Sequence, residues 1–248
     1  MDMIENFERE QTKIRGLDLG GHPLDSDAMY RLYQRRNSFG LNPDTRIHRI
    51  FQRDFYESDV VNKYLTLPLA TATVLADPLE NPLADVQDVD SVTGSAIHLG
   101  SLVNSFYAVC WTDRALPQPS DWESFSHGKE AVRISTTVGK LMDRMMRIDD
   151  SNYMHRSWLV KVEYREPALI KVIKSPNEVY CRMESTGSLL AISTALVRTQ
   201  FSHEDEVRLL FDASIQPPLP NLNYLNNPNR IRIPFDWTGF VDKEVFNL

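Results

Sequence analysis

The sequence predicts a single-domain α+β protein built on a mixed, mostly antiparallel sheet with flanking helices. Three observations carry this. Strand-like and helix-like segments follow one another in irregular order, without the βα alternation of a doubly wound sheet. "FYAVCWT" (106–112) is a near-continuous apolar run, as in a strand covered on both faces, and "EAVRIST" (130–136) alternates. The 248 residues are 42% hydrophobic and 25% charged, ordinary for a soluble chain and enough for one core.

Three regions follow along the chain. Residues 1–25 are polar and rich in Asp, Glu and Gly, and read as a loosely held arm. Residues 26–212 carry the domain, and the Pro/Asn-rich stretch 213–248 reads as a tail packed on it, with a short strand at "RIRI". Within the domain, "DAMYRLYQRR" puts Met29, Leu32 and Tyr33 on one helical stripe. "TRIHRIF" (45–51) reads as a short strand, and "YESDVVNKYL" as a brief helix capped by Ser58. "LTLPLATATVL" (65–75) is strand-like, but Pro68 confines it to an edge or an end. After "EAVRIST", Thr136 or Thr137 caps a helix whose stripe is Leu141, Met145 and Ile148. "WLVKVEY" (158–164), "LIKVI" and "EVRLLFD" (206–212) read as strands, and "TGSLLAISTALVRTQ" (186–200) as a helix.

Charge and composition exclude several classes. A net charge of −7 disfavours a general nucleic-acid or anionic-membrane surface. No apolar run approaches the ~18 residues of a membrane span, and the charged N-terminus lacks an export signal, so a cytoplasmic location is expected. Cys110 and Cys181 sit in apolar segments and read as reduced core thiols, poor nucleophiles when buried. The glycine-rich nucleotide loops, the HExxH and CxxC metal spacings and the GxSxG elbow are all absent. Scattered histidines supply no metal site; Glu204, Glu206 and Asp77 could hold Mg²⁺ only if the fold gathered them.

The most informative stretch is "FSHEDEVRLLFD". On a strand, Glu204, Glu206 and Arg208 share one face, opposite Val207, Leu209 and Phe211. Such a face is either solvated or a carboxylate pair in a cleft, one carboxylate steadying a cationic transition state and the other orienting a nucleophile. Trp111 ends an apolar strand and is expected in the core. Trp122 follows a Pro-rich loop and is expected to wall a cleft.

Five short motifs occur in a set order: "IHRIF" (47–51), "LADPLE" (75–80), "CWT" (110–112), "DWESFSHGKEAVRIS" (121–135) and "HEDEVRLLF" (203–211). In this order, over roughly residues 46–212, the chain resembles a large bacterial domain-of-unknown-function family. Ala76 stands where that family usually has Asn, and Phe125 where Tyr is commoner. The layout is also similar to ADP-ribosyltransferases. That resemblance implies an NAD-consuming enzyme, a bacterial toxin, effector or phage-defence factor, with an antitoxin or defence partner and a protein or nucleic-acid acceptor. Glu206 and Glu204 would be catalytic, with Glu206 beside the nicotinamide ribose. Arg49 or His48 would grip NAD, Arg133 and Ser135 would support it, and Trp122 would wall it. The alternative is a non-catalytic sensor domain of a defence or stress system, binding a nucleotide or a protein in the same cleft.

Overall fold

A computed structural model describes residues 3–247 except 22, 24–25, 78, 82, 84–85, 90–91, 174–186, 217, 220 and 225–228. The chain begins with α1 (Met3–Leu19), α2 (Asp27–Asn37), β1 (Arg46–Gln52), α3 (Arg53–Asn62) and β2 (Tyr64–Pro68). Next come β3 (Gln87–Val89), β4 (Ala96–His98), β5 (Phe106–Thr112), α4 (Pro119–Ser126), β6 (Ala131–Thr137) and α5 (Val138–Met145). The third quarter holds β7 (Ser157–Lys161), β8 (Glu163–Arg165), α6 (Pro167–Ile173), α7 (Ser188–Ser193), β9 (Leu196–Arg198) and β10 (Glu206–Asp212). The chain closes with β11 (Asn223–Tyr224), β12 (Arg230–Pro234) and β13 (Lys243–Asn247).

The core is a six-stranded sheet in the order β13-β6-β1-β5-β10-β7, antiparallel at every pairing, as the α+β reading requires. β5 is central and buried on both faces, which explains its unbroken apolar run. Tyr107, Val109 and Trp111 join one core cluster, and Phe106 and Ala108 join the other. In the second cluster Trp158 is 1% exposed, its ring stacks on Phe106 at 5.9 Å, and its Nε1 donates to Ser188 Oγ at 3.0 Å. β2 lies at the edge of a separate three-stranded sheet, β11-β12-β2, and Pro68 is its last residue, where a missing N–H costs least.

Sequence periodicity located α2, β1, β6, α5, β7 and β10. Ser26 Oγ accepts the Met29 N–H at the start of α2, and Thr137 caps α5. Elsewhere the structure corrects the reading. The expected arm is helix α1, burying Phe7 and Ile14 against α2 and the core. Its polar surface hid the stripe, because Glu10, among the buried residues, is neutralised by Lys13 and Arg35. Gly40, at φ +79°, lets α1 approach; a Cβ there would stand 2.6 Å from Asn6 Cγ.

α3 begins at Arg53, not after Ser58. "LIKVI" is helical, opened by Pro167 at the position where proline's missing N–H is harmless. The expected helix over 186–200 ends at Ser193 and passes into β9, because β-branched Val197 sits in a strand paired with β8. Ile148 lies beyond α5 and is 51% exposed. The C-terminal stretch is more than a tail. β13 forms one edge of the main sheet, and Phe235, Trp237 and Phe240 enter the core beside Phe51 and Trp111. Cys181 lies outside the described residues.

Candidate functional site

A break in the central sheet makes the site. β1 and β6 pair along seven rungs, as do β5 and β10. Between β1 and β5 only one rung forms, His48 with Thr112. Past it the strands diverge, and a cavity of about 600 Å³ occupies the wedge, a volume typical of ligand sites. Because it passes between strands, one cavity reaches side chains from both sheet faces.

On one face stands the β10 charge pair. Arg208 grips Glu206 with both prongs, Nε to Oε1 at 2.7 Å and Nη2 to Oε2 at 3.0 Å. Both side chains are buried, and Arg208 Nη1 donates to the Thr194 carbonyl. Burial pushes the Glu206 carboxyl upward, and the Arg208 charge outweighs it, leaving the pKa below the ordinary value. Cys110 on β5 pairs with Arg208, its thiol hydrogen-bonds the Glu206 side chain, and burial raises that thiol well above the usual range. Glu204 also lines the cavity, but from a 3-10 turn, because Asp205 at φ 47° breaks the strand before it. Burial and the Glu206 charge raise Glu204, and burial likewise raises Glu80.

On the other face stands Arg49. Its guanidinium lies 4.3 Å from the Phe51 ring centroid, and its buried Nη1 has no hydrogen-bond partner among the described residues. Burial lowers its pKa to about 10, opposed by the Asp59 charge among others. Asp59 spends its oxygens on the Thr66 amide and hydroxyl, at 2.8 and 2.7 Å. Phe55 and Phe125, each 45% exposed, line the mouth, and Arg230 lies 5.3 Å from the Phe55 ring.

Of the residues the sequence singled out, Arg49, His48, Arg133, Glu204 and Glu206 line this cavity. Trp122 and Ser135 do not. Trp111 stands in the place expected of Trp122, 2% exposed, with its Nε1 unpartnered among the described residues. Trp122 is half-buried on α4, whose other residues Asp121, Ser124 and Phe125 line the cavity instead. Ser135 holds His48, Oγ to Nδ1 at 2.7 Å. Burial, with Arg133 nearby, lowers His48 to about 4, so the ring is neutral at pH 7. Arg133 is spent on the Arg114 and Ala115 carbonyls. Asp77 pairs with Arg198, and among the described residues no group of three or more candidate ligands could hold a metal ion.

No protein-family model, curated protein or solved structure matches this chain. The cavity must therefore be read from its own residues. Three of its features escaped the sequence reading: the Glu206–Arg208 pair, Asp59 and Arg230. The first was visible, since alternation already placed Glu206 and Arg208 on one face. Asp59 and Arg230 reach the cavity from α3 and from a strand in the C-terminal region, which no local pattern announces. Among the described residues no helix is long and apolar enough to cross a membrane.

Proposed function

We propose that this chain is a recognition domain whose cavity binds a small anionic ligand with a flat or extended body. The observation that carries the reading is the unpartnered Arg49 Nη1 inside the wedge. A buried guanidinium nitrogen without an acceptor forfeits a hydrogen bond that, to a charged group, is worth about 1.5–3 kcal/mol. A ligand anion supplies that acceptor. Arg230 at the mouth forms no ion pair among the described residues and adds a second positive charge. Phe55, Phe125 and Trp111 supply apolar walls, in keeping with sites that combine apolar surface and a few polar anchors.

A second reading, an NAD-consuming ADP-ribosyltransferase-like enzyme, is favoured by Glu204, Glu206 and Arg49 lining one cavity. It asks for a carboxylate free to meet positive charge developing on a ribose. Both Glu206 oxygens are already committed to Arg208, so that work would fall to Glu204. The binding reading makes no such demand and stands first.

The test is a thermal-shift screen of the full chain against carboxylates, phosphates, nucleotides and NAD, with nicotinamide release followed by mass spectrometry. A ligand at a hundred times its Kd stabilises by about 2.7 kcal/mol. For a chain of this size that raises Tm by about 5 °C. Arg49→Gln should abolish the shift. Stabilisation by the same anions in Arg49→Gln would refute the binding reading, and NAD turnover would promote the enzyme.

A further inference from the structure

Resting on the reading that the cavity takes an anion, we propose that its ligand is the free C-terminal end of an extended peptide. The carboxylate would sit on Arg49, and the main chain would bridge β1 and β5 where those strands part.

The unpaired rung carries this. Arg53 N–H donates to the Glu130 carbonyl and Val138 N–H to the Thr45 carbonyl, so odd-numbered residues of β1 address β6. Strand alternation then turns the main-chain groups of His48 and Ile50 toward β5. On β5, Asp113 N–H donates to the Asp205 carbonyl, and Ser105 accepts from Ala213 N–H. Odd-numbered residues there address β10, and Cys110 and Thr112 turn toward β1. His48 and Thr112 satisfy one another. The next rung would be Ile50 with Cys110, and it is not made. Both residues line the cavity, and strand parity turns the N–H and C=O of each toward the wedge; past Cys110 the same edge of β5 is covered again by the Leu69–Tyr107 bridge. Main-chain groups removed from water are almost always paired.

The arrangement selects the ligand. A carboxamide or a nucleobase edge can meet one of the two strand edges. In an extended peptide successive residues face opposite sides, so one residue can meet Ile50 while its neighbour meets Cys110. Strand addition of this kind takes affinity from the main chain and selectivity from side-chain pockets. Arg49 stands one residue from the closed apex at His48–Thr112, and Phe55 and Phe125 stand at the mouth. A chain entering by its carboxyl end reaches the guanidinium with its last atoms. Charge argues the same way. Of the lining arginines, Arg114, Arg133 and Arg208 are already spent on Asp121, main-chain carbonyls and Glu206, while Asp59, Glu80 and Glu204 also line the cavity, so a single carboxylate fits where a multiply charged phosphate is repelled.

The experiment is affinity-selection mass spectrometry on the full chain, using acetylated tetrapeptides of randomised sequence. One library ends in free carboxylates and the other in amides. Free-acid members should be retained at least about tenfold over their amides, the ratio expected when a charge-assisted bond is lost. Arg49→Gln should remove that preference. Arg49→Lys, which keeps the charge, serves if the Gln variant does not fold; it should weaken retention without erasing the preference for acids. Hydrogen exchange with the best member bound should slow the Ile50 and Cys110 amides. Equal retention of acids and amides overturns the proposal, as does binding that leaves both amides unprotected. If nucleotides stabilise the chain through Arg49 and no free-acid peptide is retained, the peptide inference falls and the anion-binding reading stands. If neither binds, both fall.

Discussion

Replacing Glu206 by Gln tests whether the β10 charge pair belongs to the fold or to chemistry. The carboxylate is 4% exposed and its partner Arg208 is 1% exposed, so neither is screened by solvent. Gln keeps the shape and one acceptor oxygen but leaves the guanidinium without a counter-charge. Breaking one partner of a buried pair costs about 3–5 kcal/mol. Spread over the unfolding entropy of a chain this long, that lowers Tm by about 6–10 °C. Arg208 Nη1 keeps the Thr194 carbonyl, which favours the lower end of the range. The assay is thermal and urea unfolding followed by circular dichroism, with Glu204→Gln as control. Glu204 forms no ion pair among the described residues and its pKa is already raised, so its loss should stay within about 0.5 kcal/mol. Replacing both partners, Glu206→Gln with Arg208→Met, should recover part of the loss. A Glu206→Gln protein that melts within 1 °C of the parent would refute a structural role for the pair. It would also return Glu206 to the catalytic reading, which expects an unchanged melting temperature.

Three further outcomes are expected. Trp111→Ala should cost about 3–5 kcal/mol and abolish ligand binding, whereas Trp122→Ala should leave binding intact; a calorimetric titration of both with the best ligand decides between them. Gly40→Ala should destabilise by about 1–3 kcal/mol through the strained φ and the clash with Asn6, and should speed proteolysis within residues 3–19. His48 is buried neutral with its pKa lowered to about 4 from 6.5, so below pH 6.5 the unfolded chain binds a proton that the folded chain refuses. Stability should therefore fall as pH drops from about 6.5 to about 4, and His48→Asn should flatten that limb of a pH–Tm profile.

Local patterning alone picks out the strands and helices whose signal is short-range. β5 announced itself because both faces are buried, and α2 and α5 because one stripe faces the core and a side chain caps the start. Pro68 told in advance which strand lies at an edge. Alternation along β10 also placed Glu206 and Arg208 on one face, although their pairing consumes the carboxylate that the E-x-E pattern seemed to offer. α1 was not legible, because its polar surface is compensated by Arg35 on another helix. Nor was the reach of the C-terminal segment, whose aromatic residues pack on Phe51 and Trp111 almost two hundred and more than a hundred positions away. The site itself was decided by tertiary structure alone. Arg49 and Glu206 project from opposite faces of the sheet and share a cavity only because β1 and β5 separate after one rung. That separation is a relation between two strands whose one paired rung joins His48 to Thr112, more than sixty positions along the chain, and no periodicity within either strand encodes it.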